Sequence, residues 1–125
     1  ITGAYETLPA GYDIDPSRFF DPEGGWRPLL ANLADVELIC VEDRGGDAYH
    51  LRGTAPAAQM DVITAGLVDD QDVVIDFWID PVTGLVRAAE FDTTVDTGSG
   101  DGTVSWTLEL RGYGDAFDIA PPEGA

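Results

Sequence analysis

The sequence predicts an α+β fold, an antiparallel meander of about six strands with two short helices laid on its apolar face. Three observations lead there. Residues 73–91, VVIDFWIDPVTGLVRAAEF, contain two strand-like runs joined by Asp80-Pro81-Val82-Thr83-Gly84. Period-two patterning broken by Pro and Gly marks a half-buried strand pair and its hairpin. Two other stretches carry apolar residues at helical spacing, and the segments between them are rich in Asp and Gly, the chemistry of turns.

Each element follows in chain order. Ile1-Thr2-Gly3-Ala4-Tyr5-Glu6-Thr7-Leu8-Pro9 reads as a turn and a strand already under way, which implies a partner strand upstream and a longer polypeptide. Residues 12–25 are rich in Asp, Pro and Gly; Asp15 is placed to cap a short turn from Pro16, with Phe19 and Phe20 as its apolar plug. Trp26, Leu29, Leu30 and Leu33 recur at i, i+3, i+4 and i+7, the stripe of an amphipathic helix, with Asn32 and Asp35 at its exit. Strands are expected over 36–42 and 48–54, joined by the loop 43–47.

A second helix opens around Thr54-Ala55-Pro56, since Pro is tolerated in a first turn. Met60, Ile63 and Leu67 line one side of it, Val62 lies beside them and Gly66 is near the end. Residues 69–72 are a solvated turn into the strand at 73–79. There Val73, Ile75, Phe77 and Ile79 share one face, while Val74, Asp76, Trp78 and Asp80 share the other. Residues 97–102 form another turn. In the strand after it Val104, Trp106, Leu108 and Leu110 point one way, with Ser105, Thr107, Glu109 and Arg111 opposite. Phe117 and Ile119 suggest a short final strand.

Composition narrows the class. The 125 residues are expected to form a single domain, 1–125, large enough for a core, and 44% hydrophobic content with twelve aromatics argues against disorder. The formal charge is −18, with six arginines and no lysine. So acidic a surface repels phosphate backbones, which excludes nucleic-acid binding, and it points to solubility or to a cation-loving face. No segment approaches the length of a transmembrane helix.

Little here looks reactive. Cys40, the lone cysteine, sits in the apolar run 36–41 and reads as a small hydrophobe, although His50 in the next strand makes a cross-strand contact geometrically possible. Asp92, Asp96 and Asp101, or Asp69, Asp70 and Asp72, are weak candidates to gather a calcium ion, since neither set has EF-hand spacing. No nucleophile elbow, phosphate loop or histidine cluster is visible, so no cofactor and no enzymatic activity are expected.

Apolar walls are plentiful. Leu29, Leu30, Leu33, Met60, Ile63, Leu67, Val73, Ile75, Phe77, Ile79, Val104, Trp106, Leu108 and Leu110 are the candidate lining of a hydrophobic cavity, and each also fits an ordinary core. Trp26, Trp78 and Trp106 are candidates for its rim.

The order SRFFDPEGGWRPLLANLADVELICVE, YHLRGTAPAAQM and VVIDFWIDPVTGLVRAAEF resembles the C-terminal half of the mycobacterial LppX/LprAFG lipoprotein family. The resemblance rests on Asp21-Pro22 with Gly25 and Leu29-Leu30, then Leu51-Arg52-Gly53-Thr54, then Trp78-Ile79-Asp80, then Leu85-Val86, and covers most of residues 12–111. It implies a curved antiparallel sheet, a half-open barrel lined by helices, whose cavity takes up acyl chains of glycolipids or other complex lipids. It further implies an extracytoplasmic, cell-envelope location, with an N-terminal lipid anchor outside this chain holding the protein to the outer face of the cytoplasmic membrane. The family's lipobox cysteine and the N-terminal half of its sheet lie outside this sequence, and the Asp-heavy, Lys-free composition departs from the mycobacterial members. The expected function is lipid binding or carriage in the cell envelope. The alternative is a structural or interaction subunit of an envelope complex, using the same apolar face or an open sheet edge to dock a protein partner or the missing N-terminal half.

Overall fold

A computed structural model describes residues 16–64, 66–68, 70–96, 98–118 and 120. Five strands, β1 (Ala34–Asp43), β2 (Asp47–Ala55), β3 (Val73–Ile79), β4 (Val86–Asp96) and β5 (Asp101–Glu109), form one open antiparallel sheet in the order β1-β2-β3-β4-β5. Every strand pairs with its neighbour in sequence. A 3-10 turn (Pro16–Phe20) and two helices, α1 (Trp26–Ala31) and α2 (Ala57–Ile63), pack on one face. No helix among the described residues is long and apolar enough to cross a membrane.

The α+β expectation holds, and the described residues contain five strands. Phe117 lies in irregular chain and is 70% exposed, whereas Ile119 falls outside the described residues. The strand expected near residues 5–8 and the Asp15 cap also lie outside them. The strands are longer than alternation alone suggests: β1 and β2 extend at both ends, and β5 begins at Asp101.

Both helices stop sooner than their apolar stripes. α1 ends at Ala31, where Asn32 closes it with its side-chain amide donating to the Pro28 carbonyl at 2.8 Å. Leu33 therefore packs from the connection to β1. α2 ends at Ile63 because the Thr64 hydroxyl donates back to the Met60 carbonyl (2.7 Å) and accepts the Val68 N–H (3.1 Å). Gly66, at φ 78°, then turns the chain. Leu67 is thrown outward, 67% exposed, and Val68 takes the buried place expected of it. The start of α2 also differs. Its N-cap is Pro56, and the Ala57 N–H is accepted instead by Asp72 from the following turn, at 2.9 Å.

The residues that carry the family resemblance make turns and close contacts. Asp21 accepts the Glu23 and Gly24 N–H groups, and a Cβ at Gly25 would lie 2.3 Å from the Phe19 carbonyl oxygen, so only glycine fits ahead of α1. A Cβ at Gly53 would meet Val36 at 3.2 Å. Asp80 closes the β3–β4 hairpin. It accepts the Val82 and Thr83 N–H groups at 2.8 and 2.9 Å, and its other oxygen takes the Arg87 guanidinium. The Thr83 amide, then Arg87 and the Val82 amide, hold its carboxyl at about 2 against an ordinary 3.8.

A depressed carboxyl stabilises the fold above its unfolded pKa and loses that contribution as pH falls through the folded one. The stability difference between wild type and Asp80→Asn is therefore expected to be constant above pH 3.8 and to shrink as the pH falls towards about 2. Urea midpoints of both proteins across that range test this; a difference that does not shrink would rule the assignment out.

Candidate functional site

β3 is the central strand, and its alternation gives the sheet two unlike faces. Antiparallel pairing places facing side chains in rows that cross the strands. One row runs Leu38, Leu51, Phe77, Ala89, Leu108 through all five strands. The next towards α1 and α2 runs Gly53, Ile75, Phe91, Trp106. These rows form the core under the helices. Leu29, Met60, Ile63 and Val68 press onto Ala55, Val73, Ile75, Phe77, Ala89 and Phe91 in one cluster. Trp26 meets Phe77 edge to face at 6.4 Å, and Phe91 stacks on Trp106 at 5.7 Å. The Trp106 indole N–H finds Thr93 at 2.9 Å, so this half-buried ring is satisfied.

Among the expected cavity-lining residues, Leu29, Met60, Ile63, Val73, Ile75 and Phe77 thus meet in close packing. Leu30, Leu33, Ile79, Trp106 and Leu108 pack at its margin. Leu67 and Val104 are exposed, and Leu110 follows β5, bonded through its N–H to the Arg87 carbonyl at 2.9 Å. Trp78 is no part of a rim on this side. It points to the other face, buried against Ala48 and Ala88.

The helices stop short of one end of the sheet. There a third row, Val41, Tyr49, Ile79, Val86, crosses four strands, with Val41 54% exposed. Leu38, 59% exposed, adjoins it on the edge strand β1. Beyond Val86 the row meets the chain after β5, where the Tyr113 hydroxyl donates to the Val86 carbonyl at 2.6 Å. An open groove of about 410 Å³ follows, walled by Phe20, Leu110, Tyr113 and Phe117. Phe20 and Phe117 were legible only as a plug and a strand; their convergence depends on the path of the chain after β5, which carries no periodic signal.

The opposite face is polar. An open groove of about 590 Å³ there is lined by Arg52, Asp76, Glu90, Thr107 and others, unsuited to an acyl chain. The Cys40 contact anticipated with His50 is present on this face, Sγ to Nδ1 at 3.7 Å. The thiol donates instead to Glu42 at 3.3 Å, and that bond holds it above its ordinary pKa, the reverse of an activated nucleophile. Asp96 stands opposite Asp101 across β4 and β5, with Asp92 four residues back along β4, roughly 13 Å at strand rise. Asp72 is engaged with α2, and Asp69 falls outside the described residues.

A model of the LppX_LprAFG lipoprotein family matches residues 1–119. No curated protein and no solved structure matches.

The covered and uncovered rows are expected to respond differently to substitution. Phe77→Ala should cost about 3–5 kcal/mol, as truncation in close packing does, while Val41→Ser should stay within about 0.5 kcal/mol. Chemical denaturation of the two variants reads this directly; a cheap Phe77→Ala would mean that the helices enclose empty space.

Proposed function

The chain belongs to the LppX_LprAFG lipoprotein family of cell-envelope lipid-binding proteins, and on that premise we propose that it holds lipid acyl chains non-covalently along its uncovered apolar row. The observation that carries this reading is the continuity of Val41, Tyr49, Ile79 and Val86 with the groove of Phe20, Leu110, Tyr113 and Phe117. An acyl chain needs apolar walls, few unsatisfied polar atoms and an open mouth. A row across four strands is roughly 14 Å long at ordinary strand spacing, and the groove beyond Val86 extends it towards the scale of a long hydrocarbon tail. Burying such a row at roughly 25 cal/mol per Å² offsets the ordering of a flexible ligand.

The expected ligand is a lipid or glycolipid, and the expected setting is the outer side of the cytoplasmic membrane, reached through a lipid anchor. No bond is made or broken in this role. The domain acts as a carrier or holder, and the closely packed centre under α1 and α2 keeps the wall rigid while the row beside it adapts.

A second reading is favoured by one observation. β1 is ten residues long, lies at the sheet edge, and is exposed on both faces for nearly its whole length. Edges of that kind accept another strand, which suits an interaction subunit.

Native mass spectrometry of protein purified from its own source, with lipid analysis of the organic extract, separates the two. A stoichiometric acyl lipid is expected, retained at least tenfold less by a Val41→Asp, Tyr49→Asp double variant that puts charge on the row. A lipid-free protein bound to a second polypeptide would overturn the carrier reading.

A further inference from the structure

On the face away from the helices, three side chains of different chemistry converge. Cys40 Sγ lies 3.3 Å from Glu42 Oε1 and 3.7 Å from His50 Nδ1, and His50 Nδ1 lies 3.0 Å from Glu42 Oε1. We propose that Cys40, Glu42 and His50 form a binding site for a zinc-class divalent transition metal.

The dimensions fit. Bonds of about 2.3 Å to sulfur and about 2.0–2.1 Å to nitrogen and oxygen give tetrahedral edges of roughly 3.3–3.6 Å between ligand atoms. The three observed separations bracket that range, so closing on an ion requires shifts of a few tenths of an ångström. The donor set is also selective. One thiol, one imidazole and one carboxylate suit zinc or cobalt, whereas calcium and magnesium require oxygen ligands throughout. Cys40 binds as the thiolate and His50 through an unprotonated Nδ1, so the thiol proton and the Nδ1 proton now directed at Glu42 are both released to solvent. The exposed position of Cys40 leaves the fourth coordination place open to water or to an outside ligand.

Each ligand is aimed by a separate device. The strand register breaks between Leu38 and Cys40, so that Leu38 faces Leu51 while Cys40 faces His50. In a regular strand residues 38 and 40 would share a face. The extra residue, Ile39, is a bulge that transfers the thiol to the side where His50 stands. His50 is buried and stacked on Trp78 at 4.5 Å, and its far nitrogen Nε2 meets Asp76 at 2.6 Å. A carboxylate behind a ligating imidazole fixes its orientation and raises its basicity. Arg52 in turn holds Asp76 through both oxygens, at 3.0 and 3.2 Å. The Trp78 indole N–H donates to Glu42 Oε2 at 2.9 Å, leaving Oε1 directed at the thiol and the imidazole. The residues that would hold an ion in place are thus all present, and the acyl-binding row is on the other side of the sheet.

Cobalt(II) titration of the reduced protein tests the site, because a cobalt–thiolate bond gives a charge-transfer band in the near ultraviolet that carboxylates do not. One equivalent is expected to produce the band and zinc to abolish it by competition. Cys40→Ala, at an exposed position, should fold normally and lose the band, and Asp76→Asn should weaken zinc binding by about 10- to 100-fold. A folded protein with no charge-transfer band, or zinc affinity unchanged in Cys40→Ala, would overturn the proposal and place the ion on surface carboxylates of this acidic chain.

Discussion

The packing of β3 under two very short helices is the constraint on which the rest of the molecule depends. Six and seven residues make helices only about 9–10 Å long, while a five-stranded sheet is roughly 19 Å across. Such helices cover the centre of an apolar face and leave its margins bare. Phe77, 1% exposed beneath Trp26 and Met60, and Leu38, bare at the end of the same cross-strand row, are two outcomes of that one mismatch. Apolar side chains at the margin therefore reflect the architecture, and on the proposed reading an apolar ligand there would complete a layer that the described residues leave short.

The reverse side of the sheet is organised by charge. With six arginines against 24 acidic residues, few cations are present to distribute. Arg44 lies over the Trp78 ring at 3.6 Å and bonds Glu90, Arg52 holds Asp76, and Arg87 bridges Asp80 and the Gly46 carbonyl. Each of these contacts ties together residues from different strands or hairpins. Exposed pairs of this kind contribute little apiece to stability; their effect is to fix where the side chains stand. Trp78 is central to this: it stacks on His50, supports Arg44 and bonds Glu42, which makes the polar face a connected network.

The two faces were unequally legible in the sequence. Alternation through 73–79 and 104–110 reports which side chains share a side, and the helix stripes report Leu29, Met60 and Ile63 correctly as neighbours of that sheet. The family resemblance was legible in Asp21, Gly25, Gly53 and Asp80 because turns and close approaches demand particular residues. Helix ends were not. Thr64 reads as an unremarkable helical residue until its hydroxyl is seen closing the last turn, and that one bond decides whether Leu67 or Val68 is buried. Trp78 misleads because a large aromatic fits either face, and which face is core depends on where the helices land. The Cys40–His50 pair was legible as a cross-strand possibility, and Glu42 shares the Cys40 face by simple alternation. Which side of the sheet they occupy was not legible, because the bulge at Ile39 has no signature in composition or periodicity.

The nearest-neighbour order of the strands also bears on how the chain reaches this state. Three of the four strand pairs close through short loops, and the fourth connects through α2, so no strand waits for a distant partner. Folding rates fall as the sequence separation of native contacts grows. A meander of this kind belongs at the fast end for sheet proteins, with β3 able to take β2 on its free side as soon as its hairpin with β4 has formed. Rapid closure limits the time for which the unpaired edges of a growing sheet are open to other chains, a useful property in a protein whose finished surface still carries a long apolar edge.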